Sequence, residues 1–244
     1  MKKTQKWVFH TTLAALFAFA GTGFIQPAAA QNPEMQQRVA ELKEASARNK
    51  QALAQYTWVE QVTISLKGEQ KKQEHFQVRL GPDGKPQKTS LDAPAPSTQQ
   101  DSGRRRGRLK EHVVEKKTEE YKEYADQIKA LIQQYVPPEK DMLQQAFQSG
   151  NITVGSAGTP GQYRMVISNY IKQGDNMTLV LDQAQKNLVS VSIASYLSDP
   201  KDAVNVDVQF ASVPGGPNHV SMETINGVSK QLTITIQNSN YQNL

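Results

Sequence analysis

From Gln162 to Tyr241 apolar and polar residues take turns in a series of short runs, each closed by turn residues, which is the period-two signature of half-buried strands. Val204, Val206, Val208 and Phe210 alternate with Asn205, Asp207 and Gln209; Leu232, Ile234 and Ile236 alternate with Gln231, Thr233 and Thr235. Val189, Val191, Ile193 and Leu197 do the same against Ser190, Ser192 and Tyr196. The runs are separated by 172–176, 199–202, 214–218 and Asn226-Gly227, all rich in residues that accept tight turns. Connections this short join antiparallel neighbours, because a parallel crossover needs a much longer link. The pattern predicts a meander with one apolar face, and that face requires a cover.

Upstream the period changes. Met35, Val39, Leu42, Ala45, Leu53 and Tyr56 recur at helical spacing, predicting a helix over 31–56 with Pro33 near its start. From Tyr56 the spacing falls to two. Trp58, Val62, Ile64 and Leu66 share one side of a strand, and Phe76, Val78 and Leu80 share one side of the next, with turns at 67–69 and 81–84. A third strand is expected over 86–91. Residues 92–108 break the pattern with Pro94, Pro96 and the cluster Arg104, Arg105, Arg106 and Arg108, and read as a mobile loop with little to bury. A long helix then carries a stripe of Val113, Val114, Tyr121, Tyr124, Ile128, Leu131 and Tyr135 until Pro137-Pro138 ends it. Met142, Leu143, Ala146 and Phe147 predict a short second helix stopped at Gly150, and 151–156 opens the strand region. The expected fold is α+β: a single curved antiparallel sheet, an incomplete barrel, covered on its concave face by helices.

Composition narrows the setting. Lys2, Lys3 and Lys6 precede an apolar core around Leu13 to Phe24, and Ala28-Ala29-Ala30 offers a cleavage site, so 1–30 reads as an export signal and 31–244 as one domain. Losing those three lysines takes the formal charge from +5 to +2, which removes the global argument for a nucleic-acid partner. With no cysteine in the chain, disulfides, thiol catalysis and cysteine metal sites are excluded, as is a lipid-modified N-terminal cysteine.

The chemistry-bearing residues are sparse. His75, His112 and His219 have no near partner at metal-ligand spacing and read as surface histidines. Glu60, Glu69, Glu74 and Glu223 read as the carboxylates that exposed strands carry. The glycines of 155–161 sit with Pro160 in a hairpin turn rather than a phosphate loop. No nucleophile-elbow pattern is present, and neither a cofactor nor a metal is implied. Trp58, Phe76, Tyr163 and Phe210 fall on inward faces, where they either pack a core or line a ligand. The arginine cluster is either solvated charge or a contact to anionic lipid headgroups, worth about 1 kcal/mol per basic residue at a charged surface.

The order of these segments resembles that of the LolA/LolB-like family of periplasmic lipoprotein carriers. The resemblance covers nearly all of 31–244. It is carried by the opening helix running into "QYTWVEQVTISLKGE" (Gln55 to Glu69), by "FQVRLGPDG" (Phe76 to Gly84) and by "KQLTITIQNSNY" (Lys230 to Tyr241). It implies an incomplete barrel lidded by helices, a periplasmic location, and a non-enzymatic carrier of lipid or lipoprotein acyl chains. The family's lid is held by an arginine on an early strand near a Gly/Pro turn. Arg79 occupies the comparable place, while the period-two register puts it on the polar face, away from Phe76 and Val78. The arginine-rich loop and the length of the 109–135 helix depart from the family. The candidate lining is Trp58, Val62, Ile64, Phe76, Met165, Ile167, Leu179, Val206 and Phe210, and the candidate anionic-surface contact is Arg104, Arg105, Arg106 and Arg108, a peripheral membrane contact. Two other readings stay open: a structural or regulatory envelope module with a filled core and a protein partner, and an enzyme acting on envelope polymers.

Overall fold

The computed structural model describes residues 44, 47–92, 106–136 and 138–244, without the side chains of 106–117 and 140. The export signal, the first part of the opening helix, Arg104, Arg105 and the side chains of Arg106, Arg108 and His112 therefore lie outside the described residues. A helical segment, 47–53 (α1), leads into β1 (Tyr56–Leu66), β2 (Glu69–Leu80) and β3 (Pro86–Ser90). Two helices follow, α2 (Arg106–Tyr135) and α3 (Lys140–Gln148). The chain then runs through β4 (Ile152–Ser156), β5 (Gln162–Ser168), β6 (Asn176–Asp182), β7 (Asn187–Tyr196), β8 (Ala203–Ser212), β9 (Asn218–Gly227) and β10 (Leu232–Asn243).

The ten strands of the described residues form one antiparallel sheet in the order β3-β2-β1-β10-β9-β8-β7-β6-β5-β4. The sheet is open, with β3 and β4 as its edges. Each hairpin follows from its turn residues: Lys67 and Gly68 both take positive φ, 54° and 78°, the twist that suits a two-residue connection between strands. The non-local pairing is β1 with β10, which sets Val62 opposite Ile236, Ile64 opposite Ile234 and Leu66 opposite Leu232. That match keeps both apolar faces on the same side of the sheet, where a one-residue slip would turn one of them to water.

The cover is helical on the same side. Tyr124, Ala125, Ile128, Leu131, Ile132 and Tyr135 of α2 are buried in one cluster with Ile64, Met177, Ile193, Val206, Ile225 and Ile234 of the sheet. Their spacing places them on one face of the helix, and α2 stops at Tyr135, just ahead of the two prolines. α3 gives way to Gly150 at φ 71°. A smaller cluster of Leu53, Trp58 and Val78 joins α1 to β1 and β2. Among the described residues no helix is long and apolar enough to cross a membrane.

Two expected boundaries move. The expected turn at Asn226-Gly227 lies inside β9, and the chain reverses over 228–231 instead. Gly227 serves packing there: a Cβ would stand 2.5 Å from Tyr124 Cε1 and 2.8 Å from Ile128 Cδ1, so its absence lets α2 lie against the sheet. The expected loop over 92–108 is shortened at its end, because α2 begins at Arg106 and takes Arg106 and Arg108 into helical backbone.

Candidate functional site

Register sorts most of the candidate lining into two lanes across the inner face. One lane runs through direct cross-strand partners Met165, Leu179, Val191, Val208, Glu223, Ile236 and Val62. The other runs through Ile167, Met177, Ile193, Val206, Ile225, Ile234 and Ile64. Trp58, Phe76 and Phe210 stand nearer one end of the strands. Of the nine candidates, Trp58, Val62, Ile64, Ile167 and Val206 are buried. Phe76, Met165, Leu179 and Phe210 pack against the core but are only partly covered. The inner face is thus closed over its middle and incompletely closed toward β5–β6 and around the two phenylalanines.

That face is not wholly apolar, which corrects the expectation that Glu60 and Glu223 are solvent-exposed strand carboxylates. Each is 2% exposed. Glu60 shares the parity of Trp58 and Val62 on β1, and Glu223 that of Ile225 on β9, so both point inward. The two carboxylates flank β10 from opposite sides, Glu60 opposite Asn238 and Glu223 opposite Ile236. Lys88 reaches over from β3 to pair with Glu60, with both side chains nearly buried. Among the described residues Glu223 has no such partner: its buried Oε1 accepts no hydrogen bond from them. Burial above all, and then the Glu60 charge, push the Glu223 carboxyl up from 4.5 to about 8, against the opposing pull of Lys88.

Beside this group sits a polar and aromatic set. Trp58 Nε1 donates to Asn238 Oδ1 at 3.1 Å, and Asn238 Nδ2 donates to the Val220 carbonyl at 3.0 Å. Tyr241 stacks on Trp58 at 5.4 Å and on His219 at 3.8 Å between ring centroids. His219 is thereby half-buried rather than on the surface, and burial holds its imidazole below 6.5. His75 instead pairs with Asp92 at 2.9 Å on the outside.

The helical cover is fastened by the hydroxyls of two stripe residues, Tyr124 and Tyr135, whose polar partners the sequence did not indicate. Tyr135 Oη donates to Asp175 Oδ2 at 2.5 Å and lies 2.7 Å from Ser195 Oγ. Asp175, 2% exposed, also accepts the backbone N–H groups of Tyr170, Ile171 and Lys172 at 2.6–3.0 Å. Near the middle of α2, Tyr124 Oη donates to Asp202 Oδ1 at 3.2 Å and accepts from Ser229 Oγ at 3.1 Å, while Lys230 pairs with Glu120. Arg79, which the resemblance would make the latch, is exposed on the outer face and donates to Gln87 at 3.2 Å. Alternation along β2 already excludes it from the lid. No group of three or more His, Cys, Asp or Glu among the described residues is placed to hold a metal ion. A polar recess of about 370 Å³, lined by Asn49, Lys186, Asn187 and Asn218 among others, includes none of the nine lining candidates.

No family model matches the chain, and no curated protein matches it. Among solved structures, a LolA superfamily protein from Nitrosomonas europaea is similar at 8% identity and a TM-score of 0.36, over 85% of this chain and 93% of that one. A DUF1329 family protein from Desulfovibrio piger is similar at 10% identity and a TM-score of 0.35, over 84% of this chain and 92% of that one. Neither likeness assigns a role to any residue here.

Proposed function

We propose that this protein is a non-enzymatic carrier or binder of a lipid or another acyl-chain-bearing ligand, acting in the periplasm of a bacterial envelope. The supporting observation is an apolar inner face, on a sheet left open at both edges, where Phe76, Met165, Leu179 and Phe210 remain only partly covered. Magnitudes decide how a chain would enter. Ten methylenes transferred from water to this face yield roughly 8 kcal/mol. Prising away the five large buried side chains of α2 costs roughly 7–15 kcal/mol. The gain reaches only the lower end of that cost, which disfavours lifting the whole helix. The ligand slides in beside it, along the partly covered ends of the lanes. Arg104, Arg105, Arg106 and Arg108 supply the positive charge that would hold the carrier against anionic headgroups.

The test is native mass spectrometry of protein purified from its own periplasm, together with the emission of a hydrophobic dye. Co-purified lipid and a dye response lost about tenfold in Phe210→Asp support the carrier, since a carboxylate at this partly covered position would have to be desolvated beneath the apolar ligand. No lipid and no dye response would end the proposal. Burial of Trp58, Val62, Ile64, Ile167 and Val206 favours a second reading, an interaction module with a filled core and a protein partner. That reading requires the same melting temperature with and without lipid.

A further inference from the structure

The carrier reading leaves a polar group in the middle of an apolar wall unexplained. Lys88 and Glu60 neutralise each other, whereas Glu223, on the same face, has a buried oxygen that accepts nothing from the described residues. With both carboxylates ionised the set would be one positive charge short of neutral, and in the empty protein a proton on Glu223 makes up that charge. A buried acceptor without a donor costs free energy that a cavity-lining valine would avoid. The missing partner is therefore a donor, and the charge that replaces the proton is positive. From Glu223 the lane of direct cross-strand partners Val208, Val191, Leu179 and Met165 leads to β5. That is four strand spacings, roughly 19 Å, long enough to lay out a fatty-acyl-length chain; it is partly open at its Leu179–Met165 end, while Val191 and Val208 are covered and the side chains over them move aside when a chain reaches Glu223.

We infer that Glu223, flanked by the Glu60–Lys88 pair, is a headgroup anchor for an amphiphile bearing an ammonium or amine group, with the alkyl chain laid along the Val208–Met165 lane. The inference rests on the carrier reading and names the class of its ligand. An anionic amphiphile would meet two carboxylates and a lysine already paired. A neutral alcohol would satisfy Oε1 but could not take the place of the proton once Glu223 ionises. An ammonium does both, taking the place of the proton that Glu223 holds at neutral pH. The groups that share this site's electrostatics are Glu60 on β1, Lys88 on β3, Tyr241 on β10 and His219 on β9. Burial and the Glu60 charge keep Tyr241 neutral, and burial keeps His219 neutral above its lowered range, so Glu223 sets the response between pH 6 and 8.

The experiment compares dodecylamine, dodecyltrimethylammonium, dodecanol and dodecyl sulfate, each below its micelle concentration, as displacers of a hydrophobic dye from the full chain. At pH 8 dodecylamine is expected to bind about tenfold tighter than dodecanol, the increment of one hydrogen bond to a charged group. The margin should shrink toward pH 6, because binding then has to expel a proton. Glu223→Gln should remove the margin, so that dodecylamine and dodecanol bind the variant alike. The wild-type series stands alone if that variant does not fold. Equal binding of amine and alcohol, or tighter binding of the sulfate, overturns the amine site while leaving the carrier intact. Displacement by none of the four removes the carrier reading beneath it.

Discussion

Glu223 couples the stability of this fold to pH through a single buried side chain. Its carboxyl titrates at about 8 in the folded protein against an ordinary 4.5. The native state therefore keeps a proton that the unfolded chain releases. The stabilising contribution is complete below 4.5, and it is lost progressively as pH rises through about 8, where the group ionises inside the wall. Glu223→Gln lacks this titration. Wild type should lose stability relative to the variant at a rate approaching 1.4 kcal/mol per pH unit, roughly across pH 5 to 8. Urea unfolding of both proteins at one-unit intervals measures it. A stability difference that stays flat with pH would show that the carboxyl is not held protonated by its surroundings.

α2 owes its position to a few polar fastenings as well as to its apolar stripe. The Tyr135 hydroxyl joins the helix end to Asp175 and Ser195, and Asp175 in turn orders the backbone of 170–172. One hydroxyl thus ties the lid to the turn after β5 and to β7. In Tyr135→Phe the carboxylate loses a donor while remaining buried, which should cost about 1–3 kcal/mol. Chemical denaturation with an unchanged dependence on denaturant is the expected result. A variant as stable as wild type would mean that the apolar stripe alone seats the helix. Gly227 makes the same point from the sheet side, since the close approach of Tyr124 and Ile128 depends on the missing Cβ.

The pairing of β1 with β10 makes one sheet of what would otherwise be a three-stranded piece and a seven-stranded piece. The inward Leu232, Ile234 and Ile236 are each 2–3% exposed, and burying the three is worth roughly 5–9 kcal/mol. A domain's net stability is typically about 5–15 kcal/mol. Ending the chain at Gln231 should therefore abolish cooperative thermal unfolding altogether, followed by circular dichroism. A truncated chain with a sharp transition near that of wild type would show that the meander stands without the β1 side.

Much of this was readable along the chain. Alternation located the strands, their inward faces and the hairpins, because a pleated chain with one dry face must place every second side chain in the core. It also placed Arg79 outside. Parity alone put Glu60 in line with Trp58 and Val62, yet a carboxylate argues for solvent until its partner is known, and Lys88 lies 28 residues away on another strand. Glu223 was masked by the irregular register between β8 and β9, which interrupts the alternation just before it. Local periodicity carries no information about which distant strand completes a ladder, which turn carboxylate receives a helix hydroxyl, or which glycine admits a helix. Those were settled only when the two ends of the chain met across β1 and β10 and brought the buried charges, the lanes and the lid onto one face.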